Sequence, residues 1–105
     1  MRVLFHPEAK KELVEAVTYY EECQKGLGLE FIKEVYLTID RIRSFPNAWS
    51  KISKNARRCV VNRFPYGIIY QCSKDEIYII AVMQLNRKPK YWKERKIEKN
   101  AKKKS

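Results

Sequence analysis

The sequence predicts an α+β domain with the element order β-α-α-β-β-β, in which a helical hairpin packs on one face of a small antiparallel sheet. Apolar residues recur at three- and four-residue spacing through most of the first half. The second half instead carries three runs rich in Val, Ile and Tyr, separated by turn residues. A hairpin of helices on one side of a sheet buries both apolar surfaces, so one domain over residues 1–105 is expected.

The first strand and the first helix are predicted at the N-terminus. Val3-Leu4-Phe5 is a short apolar run, and Pro7 follows at a position that suits the first turn of a helix. Apolar residues then recur with helical spacing, whereas Glu12 and other charged residues fall off that stripe. The Gly26-Leu27-Gly28 segment supplies a stop signal, so the first helix is expected from about 8 to 24.

A second helix is predicted directly after this short glycine link and ends at Ser44-Phe45-Pro46. Because the link is so short, the two helices must be antiparallel neighbours. Apolar residues at helical spacing form one face, namely Phe31, Val35, Ile39 and Ile42. A second apolar face consists of Leu29, Ile32 and Tyr36. Two apolar faces predict that this is the more buried helix.

The rest of the chain is predicted to be a loop followed by a three-stranded meander. Residues 46–56 are polar and aperiodic, and the strands are expected over residues 58–64, 67–73 and 77–83. A first turn centred on Pro65-Tyr66 would place Cys59 opposite Cys72. The sheet face away from the helices is expected to be open and to carry many basic residues. Pro89 could open a terminal helix, and a basic, frayed tail is expected from about 98–105.

The charge of the chain is strongly asymmetric. There are 23 Lys and Arg against 12 Asp and Glu, a formal net charge of +11. Residues 1–50 carry 7 basic and 8 acidic residues, net −1, whereas residues 51–105 carry 16 basic and 4 acidic residues, net +12. Solubility requires no such asymmetry, so an anionic partner is expected: nucleic acid, an acidic protein or a membrane surface.

Cysteine usage and hydropathy narrow the class of protein further. The three cysteines are an odd number without C-x-x-C spacing, which favours neither a disulfide framework nor a zinc site. No cofactor and no metal are expected. The chain contains neither a signal-peptide pattern nor the roughly 20 consecutive apolar residues of a membrane helix. A cytoplasmic protein without a membrane partner is therefore predicted.

Arginines distant in sequence are expected to meet on the sheet. Arg58, Arg63 and Arg87 come from strands or from the segment that leaves the last strand, and together they predict a concave site for phosphate or carboxylate. The period of two places Arg57 and Arg63 on one face of a regular strand and Arg58 on the other. A bulge near Phe64-Pro65 would change this phase, so which arginines converge is left open.

Short motifs follow one another along the chain in a specific order and spacing. They are Phe5-His6-Pro7-Glu8-Ala9, Tyr19-Tyr20-Glu21, Gly26-Leu27-Gly28, Phe31, Phe45-Pro46, Trp49, Arg57-Arg58, Arg63-Phe64-Pro65-Tyr66, Ala81-Val82, Arg87, Pro89, Tyr91 and Trp92. Together they resemble the RelE/ParE family of toxins of type II toxin-antitoxin systems, or plasmid stabilisation proteins, over nearly the whole length. The resemblance implies the same architecture, a protein that arrests growth, and an antitoxin that wraps and neutralises it.

The resemblance leaves two targets open. ParE-like members poison DNA gyrase and need no catalytic residues of their own, whereas RelE-like members are enzymes that cut mRNA on the ribosome. For RNA cleavage, Arg58, Arg63 and Arg87 would hold the phosphate, and Tyr91 would transfer a proton or stack on a base. Packing of the terminal segment on the sheet is the alternative for Tyr91, and it is preferred for Trp92.

A missing histidine favours the gyrase target. Many relatives carry histidine near the end of the last strand, where this chain has Gln84, and an amide cannot shuttle a proton near neutral pH. The only histidine, His6, precedes the first helix and suits a helix-capping or surface role. The sequence therefore predicts a ParE-like inhibitor of gyrase first, a ribosome-dependent endoribonuclease second, and a non-toxic nucleic-acid-binding module third.

Overall fold

A computed structural model describes residues 1–88 and 91–95. Its elements are β1 (Arg2–Phe5), α1 (Pro7–Cys23), α2 (Leu27–Ser44), β2 (Ser50–Lys51), β3 (Arg57–Val60), β4 (Tyr66–Cys72) and β5 (Glu76–Gln84). The predicted α+β class and the order of helices and strands are confirmed, with β2 added inside the segment predicted to be a loop. The predicted helix start at Pro89 and the tail from about 98–105 lie outside the described residues.

The five strands form one sheet in the order β1-β5-β4-β3-β2. β1 runs parallel to β5, with Arg2 opposite Glu76 and Phe5 opposite Ile79, and the other pairings are antiparallel. The sheet is therefore mixed, not antiparallel throughout as predicted. Both helices and three strands separate β1 from β5 in the chain, so no hairpin turn fixes their relative direction.

The start of α1 is defined by a side-chain cap. The imidazole Nδ1 of His6 accepts a hydrogen bond from the backbone N–H of Glu8 at 3.0 Å, and Pro7 occupies the first helical position. Both features suit a helix N-terminus, where the first backbone N–H groups have no partner within the helix. The capping role predicted for His6 is confirmed.

The two helices approach each other closely at Gly28. A Cβ atom at this position would lie 2.7 Å from the Val17 carbonyl oxygen, so only glycine allows this separation. The Glu21 carboxylate accepts hydrogen bonds from the backbone N–H groups of Gly26 and Gly28, each at 3.0 Å to one of its oxygens. The antiparallel hairpin predicted from the short link is confirmed. The absence of a Cβ atom at Gly28 allows its two helices to pack this closely.

α2 is the more buried helix, as predicted, but only one of its two apolar faces is covered. Leu29 is 61% exposed and Tyr36 is 53% exposed. The buried face consists of Gly28, Phe31, Val35, Thr38, Ile39 and Ile42. On the second apolar face, Leu29 and Tyr36 are therefore left to solvent by the described part of the chain, whereas Ile32 is half-buried.

The turn between β3 and β4 is longer than the predicted two-residue turn. Cys59 lies opposite Ile68, and Cys72 pairs with Ile77 of β5, so the predicted pairing of the two cysteines is wrong. The chain between the strands includes Arg63 in a left-handed conformation with φ of 73°. Val60 lies opposite Gly67, so the turn is centred between Arg63 and Phe64, two residues before the predicted centre, and each cross-strand partner is shifted by four positions.

The sheet is covered on both faces. On the helix side, aromatic rings from α1, α2 and the β3–β4 turn pack edge to face, with Phe31 5.1 Å from Phe64 between ring centroids. On the other side, Trp92 is only 4% exposed and packs among Ile69, Ile80 and Met83. The predicted packing of Trp92 on the sheet is confirmed. The prediction of an open face is wrong: β5 has apolar side chains on both faces, so both faces are packed against other parts of the chain.

Tyr70 connects the sheet to the segment that follows α2. Its side chain is buried in the helix-side core, and its hydroxyl donates a hydrogen bond to the Pro46 carbonyl at 2.6 Å. Burial raises the pKa of Tyr70 to about 12. The phenol is therefore kept neutral at pH values at which a free tyrosine has ionised.

Replacing Tyr70 with phenylalanine is expected to weaken the alkaline dependence of stability. The unfolded phenol ionises near pH 10, before the folded one, so the free energy of unfolding falls as pH rises from about 10 to about 12. Phenylalanine cannot ionise, so the slope should be smaller by up to about 1.4 kcal/mol per pH unit. Urea unfolding at several pH values between about 10 and 12 measures this slope for each variant. Tyr36→Phe, at an exposed position, is the control, and an equal change in slope there would contradict the assignment.

Candidate functional site

A carboxylate on α1 fixes the described C-terminal residues beside β5. The Glu12 side chain is only 14% exposed. It accepts hydrogen bonds from the Tyr91 hydroxyl at 2.7 Å and from the Arg95 guanidinium at 2.8 and 3.0 Å. It also accepts one from the backbone N–H of Val82 at 3.0 Å. One side chain thus connects a helix, a strand and the segment 91–95.

The geometry of the sheet explains why these polar groups meet here. β1 ends at Phe5, opposite Ile79, so its pairing does not extend along the rest of β5. Backbone groups beyond that point need other partners, since an unpaired buried N–H or C=O is costly. Glu12 accepts from Val82, and Arg95 donates to the Ile80 carbonyl at 2.9 Å. Side chains therefore continue the hydrogen bonding where the neighbouring strand stops.

Arg87 lies against the face of the Tyr91 ring. The guanidinium carbon is 4.0 Å from the ring centroid, and that of Arg95 is 5.0 Å from the same centroid. Such distances suit cation–π attraction. Arg87 itself is exposed at the end of β5, beside a hollow of about 150 Å³ lined by Glu12, Glu15, Ala16, Tyr19, Tyr66, Val82 and Gln84. The site presents an oriented cation to solvent.

Tyr91 is a hydrogen-bond donor in this site. Burial raises the pKa of Tyr91 well above its usual value, and the hydrogen bond to Glu12 and the charge of that carboxylate raise it further. The charges of Arg95 and Arg87 oppose this effect but do not overcome it. A phenol in this state stays protonated near neutral pH, so it cannot accept a proton from a substrate. Gln84 borders the same hollow and does not titrate.

The other predicted arginines differ in their surroundings. Arg63 is directed toward α2, where its guanidinium lies 2.6 Å from a Glu30 oxygen and 3.8 Å from a Glu34 oxygen. Hydrogen bonding to Glu30 raises the pKa of Arg63. Arg57 donates to the Trp49 carbonyl at 2.7 Å, which fixes the segment before β2. These two guanidinium groups are therefore paired with acceptors of the chain itself.

Arg58 extends over the sheet face away from the helices. A Cβ atom on Gly67 would lie 3.1 Å from the Arg58 side chain and 3.4 Å from Leu85, two residues before Arg87. Arg58 therefore lies beside β4 near Leu85, whereas Arg87 borders the hollow lined by α1 and Arg63 is directed toward α2, so the predicted arginines have three different surroundings. Arg58 also borders a cleft of about 450 Å³ that includes Arg41, Ser50 and Asn62. The catalytic roles assigned to these arginines and to Tyr91 stay predictions.

The described part of the chain has neither a cluster of metal-binding side chains nor a membrane-spanning helix. Residues 1–88 and 91–95 contain no group of three or more His, Cys, Asp or Glu placed to bind a metal ion. Within that part of the chain, neither helix has the length and apolar character needed to cross a bilayer.

Comparisons with known proteins give one family and one fold. The family model described as "ParE toxin of type II toxin-antitoxin system, parDE" matches residues 3–89. A solved structure titled "Chromosomal ParDE TA system from P. aeruginosa" is similar, with a TM-score of 0.72 and 13% sequence identity over 82% of this chain and 97% of that chain. At this identity the likeness shows the fold alone. No curated protein sequence matches the chain.

Proposed function

The chain belongs to the ParE toxin family of type II toxin-antitoxin systems, and from this premise we propose that it is a single-domain toxin that arrests growth by binding DNA gyrase. The proposal depends on the site at the end of β5. Arg87 is oriented there by an aromatic ring, while the nearby Tyr91 hydroxyl is donated to Glu12. A binding protein needs no more than such oriented contact groups.

The same observation weighs against the alternative, mRNA cleavage on the ribosome. Cleavage without a metal requires a group that takes the proton of the attacking 2′-hydroxyl and a group that protonates the leaving oxygen. Tyr91 stays protonated, so it cannot take the proton, and its hydroxyl hydrogen is already donated to Glu12; the Gln84 amide can fill neither role. We therefore assign Arg58 and Arg87 to contacts with the target, Tyr91 to orientation of Arg87, and Arg63 to an ion pair with α2.

A cognate antitoxin is the partner that the exposed surface favours. Leu29 and Tyr36 leave an apolar face on α2 in solvent, and the second half of the chain is strongly basic. An acidic or amphipathic segment that folds on binding would cover the apolar face and neutralise the charge at the same time. The proposed protective partner is therefore a protein with such a segment.

Expressing the chain alone is expected to arrest growth with induction of the DNA-damage response. The purified protein should also inhibit supercoiling by purified gyrase. Co-expression of the small open reading frame beside its gene should restore growth. Ribosome-associated mRNA fragments without DNA damage would favour the endoribonuclease instead. Normal growth during expression of the chain would contradict both toxin hypotheses and favour the non-toxic nucleic-acid-binding module.

A further inference from the structure

We infer that Glu12 is a positioning residue of the target-binding site: its carboxylate fixes the Tyr91 ring, and that ring orients the Arg87 guanidinium. The inference rests on the proposed function in one respect, because the orientation of Arg87 matters only if the end of β5 contacts a target. The structural part concerns the protein alone. Three sets of contacts support it: Glu12 with Tyr91, Tyr91 with Arg87, and Trp92 with the sheet.

The first link fixes the carboxylate itself. Oε1 of Glu12 accepts from the Val82 backbone and from Arg95, and Oε2 accepts from the Tyr91 hydroxyl and from Arg95. Each oxygen therefore has two donors: one of the four comes from β5, and the other three come from the segment 91–95. Hydrogen bonds to an ionised acceptor are about twice as strong as neutral ones. Glu12 gives Tyr91, a residue in a turn, a fixed connection to α1.

The second link passes from the ring to Arg87. A free arginine side chain samples many rotamers, and much of this conformational entropy is lost when the side chain binds. Contact with the Tyr91 face at 4.0 Å restricts the guanidinium before any target arrives. Less conformational entropy is then lost when Arg87 binds its target, and this preorganisation raises the affinity. A ring that could tilt would lose this effect.

A further contact, made by Trp92, holds the segment 91–95 on the sheet independently of Glu12. Trp92 follows Tyr91 and is buried among apolar side chains of β4 and β5, so the segment 91–95 has a second attachment to the sheet. Changing Glu12 to glutamine keeps the size of the side chain and one acceptor oxygen. In either orientation its amide NH2 replaces an oxygen that accepted from two donors, and the charge that paired with Arg95 is removed. The orientation of the ring should be lost while the segment stays packed.

The first test observes Arg87 directly, without any target. Ring-current shielding by Tyr91 should move the side-chain proton resonances of Arg87 upfield in the wild-type protein. Glu12→Gln should return them toward the values of a free arginine, and Tyr91→Phe, which removes only the hydroxyl, should return them in part. Glu22→Gln, an exposed carboxylate on the same helix, should leave them unchanged. Retention of the upfield shift in both Glu12→Gln and Tyr91→Phe would overturn the inference.

The second test asks whether Glu12 acts through Arg87. Glu12→Gln, Arg87→Ala and the double variant are compared by the concentration that half-inhibits gyrase supercoiling, after thermal unfolding confirms that each is folded. Glu12→Gln should weaken inhibition about fivefold in the wild-type background and not further in the Arg87→Ala background. An equal effect in both backgrounds would overturn the inference. A wild-type protein that does not inhibit gyrase would remove the proposed target, while the resonances of Arg87 would still decide the role of Glu12.

Discussion

Replacing Phe31 with alanine is expected to leave the protein largely unfolded at growth temperature. Phe31 is fully buried, and its ring lies 5.0 to 5.2 Å from the ring centroids of Tyr20, Phe64 and Tyr66. Truncating a buried phenylalanine typically lowers the free energy of unfolding by about 3–5 kcal/mol. A domain of this size has only about 5–15 kcal/mol in total. The loss is therefore a large fraction of the total stability, and at the lower end of this range it equals the whole.

The position of Phe31 explains why neighbouring elements cannot compensate. The ring contacts α1 through Tyr20, the β3–β4 turn through Phe64 and the start of β4 through Tyr66. A cavity there removes contacts from three elements at once, and close-packed interiors collapse only partly around such a gap. The effect should reach the helical hairpin and the sheet together.

Phe45→Ala is the matched control for this prediction. Phe45 is the same residue type at the end of α2, and it is 65% exposed. Thermal unfolding should show a midpoint lowered by roughly 15 °C or more for Phe31→Ala and nearly unchanged for Phe45→Ala. Similar midpoints for the two variants would show that the aromatic cluster does not dominate the stability of the core.

The sequence predicted the helices well because their signals are local. The spacing of Phe31, Val35, Ile39 and Ile42 identified the buried face of α2, and each of these residues is buried in the structure. His6 and Pro7 likewise indicated the start of α1 through neighbours in sequence. Helical periodicity and capping involve residues within a few positions of one another, so a single sequence contains them.

The sheet was predicted less completely because register depends on turn geometry. The turn around Arg63 determines which residues of β3 and β4 face each other, and its left-handed residue has no glycine to indicate it. The parallel pairing of β1 with β5 joins segments more than 70 residues apart. Neither feature has a periodic pattern in the sequence, which is why the pairing of Cys59 with Cys72 was predicted wrongly.

The candidate site was predicted in part. Arg87, Tyr91 and Arg58 were recognised from the sequence, but Glu12 was interpreted as one of several charged residues on the outer side of a helix. Its partners Tyr91 and Arg95 lie 79 and 83 positions away, so local spacing gives no signal for them. Correlated substitution of these three positions among relatives is the signal that could have revealed the network.

Reversing the charge of Arg87 is expected to weaken growth arrest and gyrase inhibition strongly while leaving the fold intact. Arg87 is exposed beyond the end of β5, so the substitution to glutamate removes no core contact. It places a carboxylate beside Glu12 and Glu15, which border the same hollow, and thereby converts a cationic contact into an anionic one. Inhibition should fall roughly tenfold to hundredfold, which corresponds to about 1.4–2.8 kcal/mol of binding free energy.

Lys74→Glu distinguishes this local effect from a change in overall charge. Lys74 is exposed in the turn before β5, whereas Arg87 follows the end of that strand, and either substitution lowers the formal net charge of +11 by the same amount. Long-range steering by net charge would weaken both variants equally and would vanish at high salt. A contact at the end of β5 weakens Arg87→Glu alone and persists when salt is raised. Equal loss in the two variants would therefore assign the inhibition to the basic character of the chain and not to the oriented guanidinium.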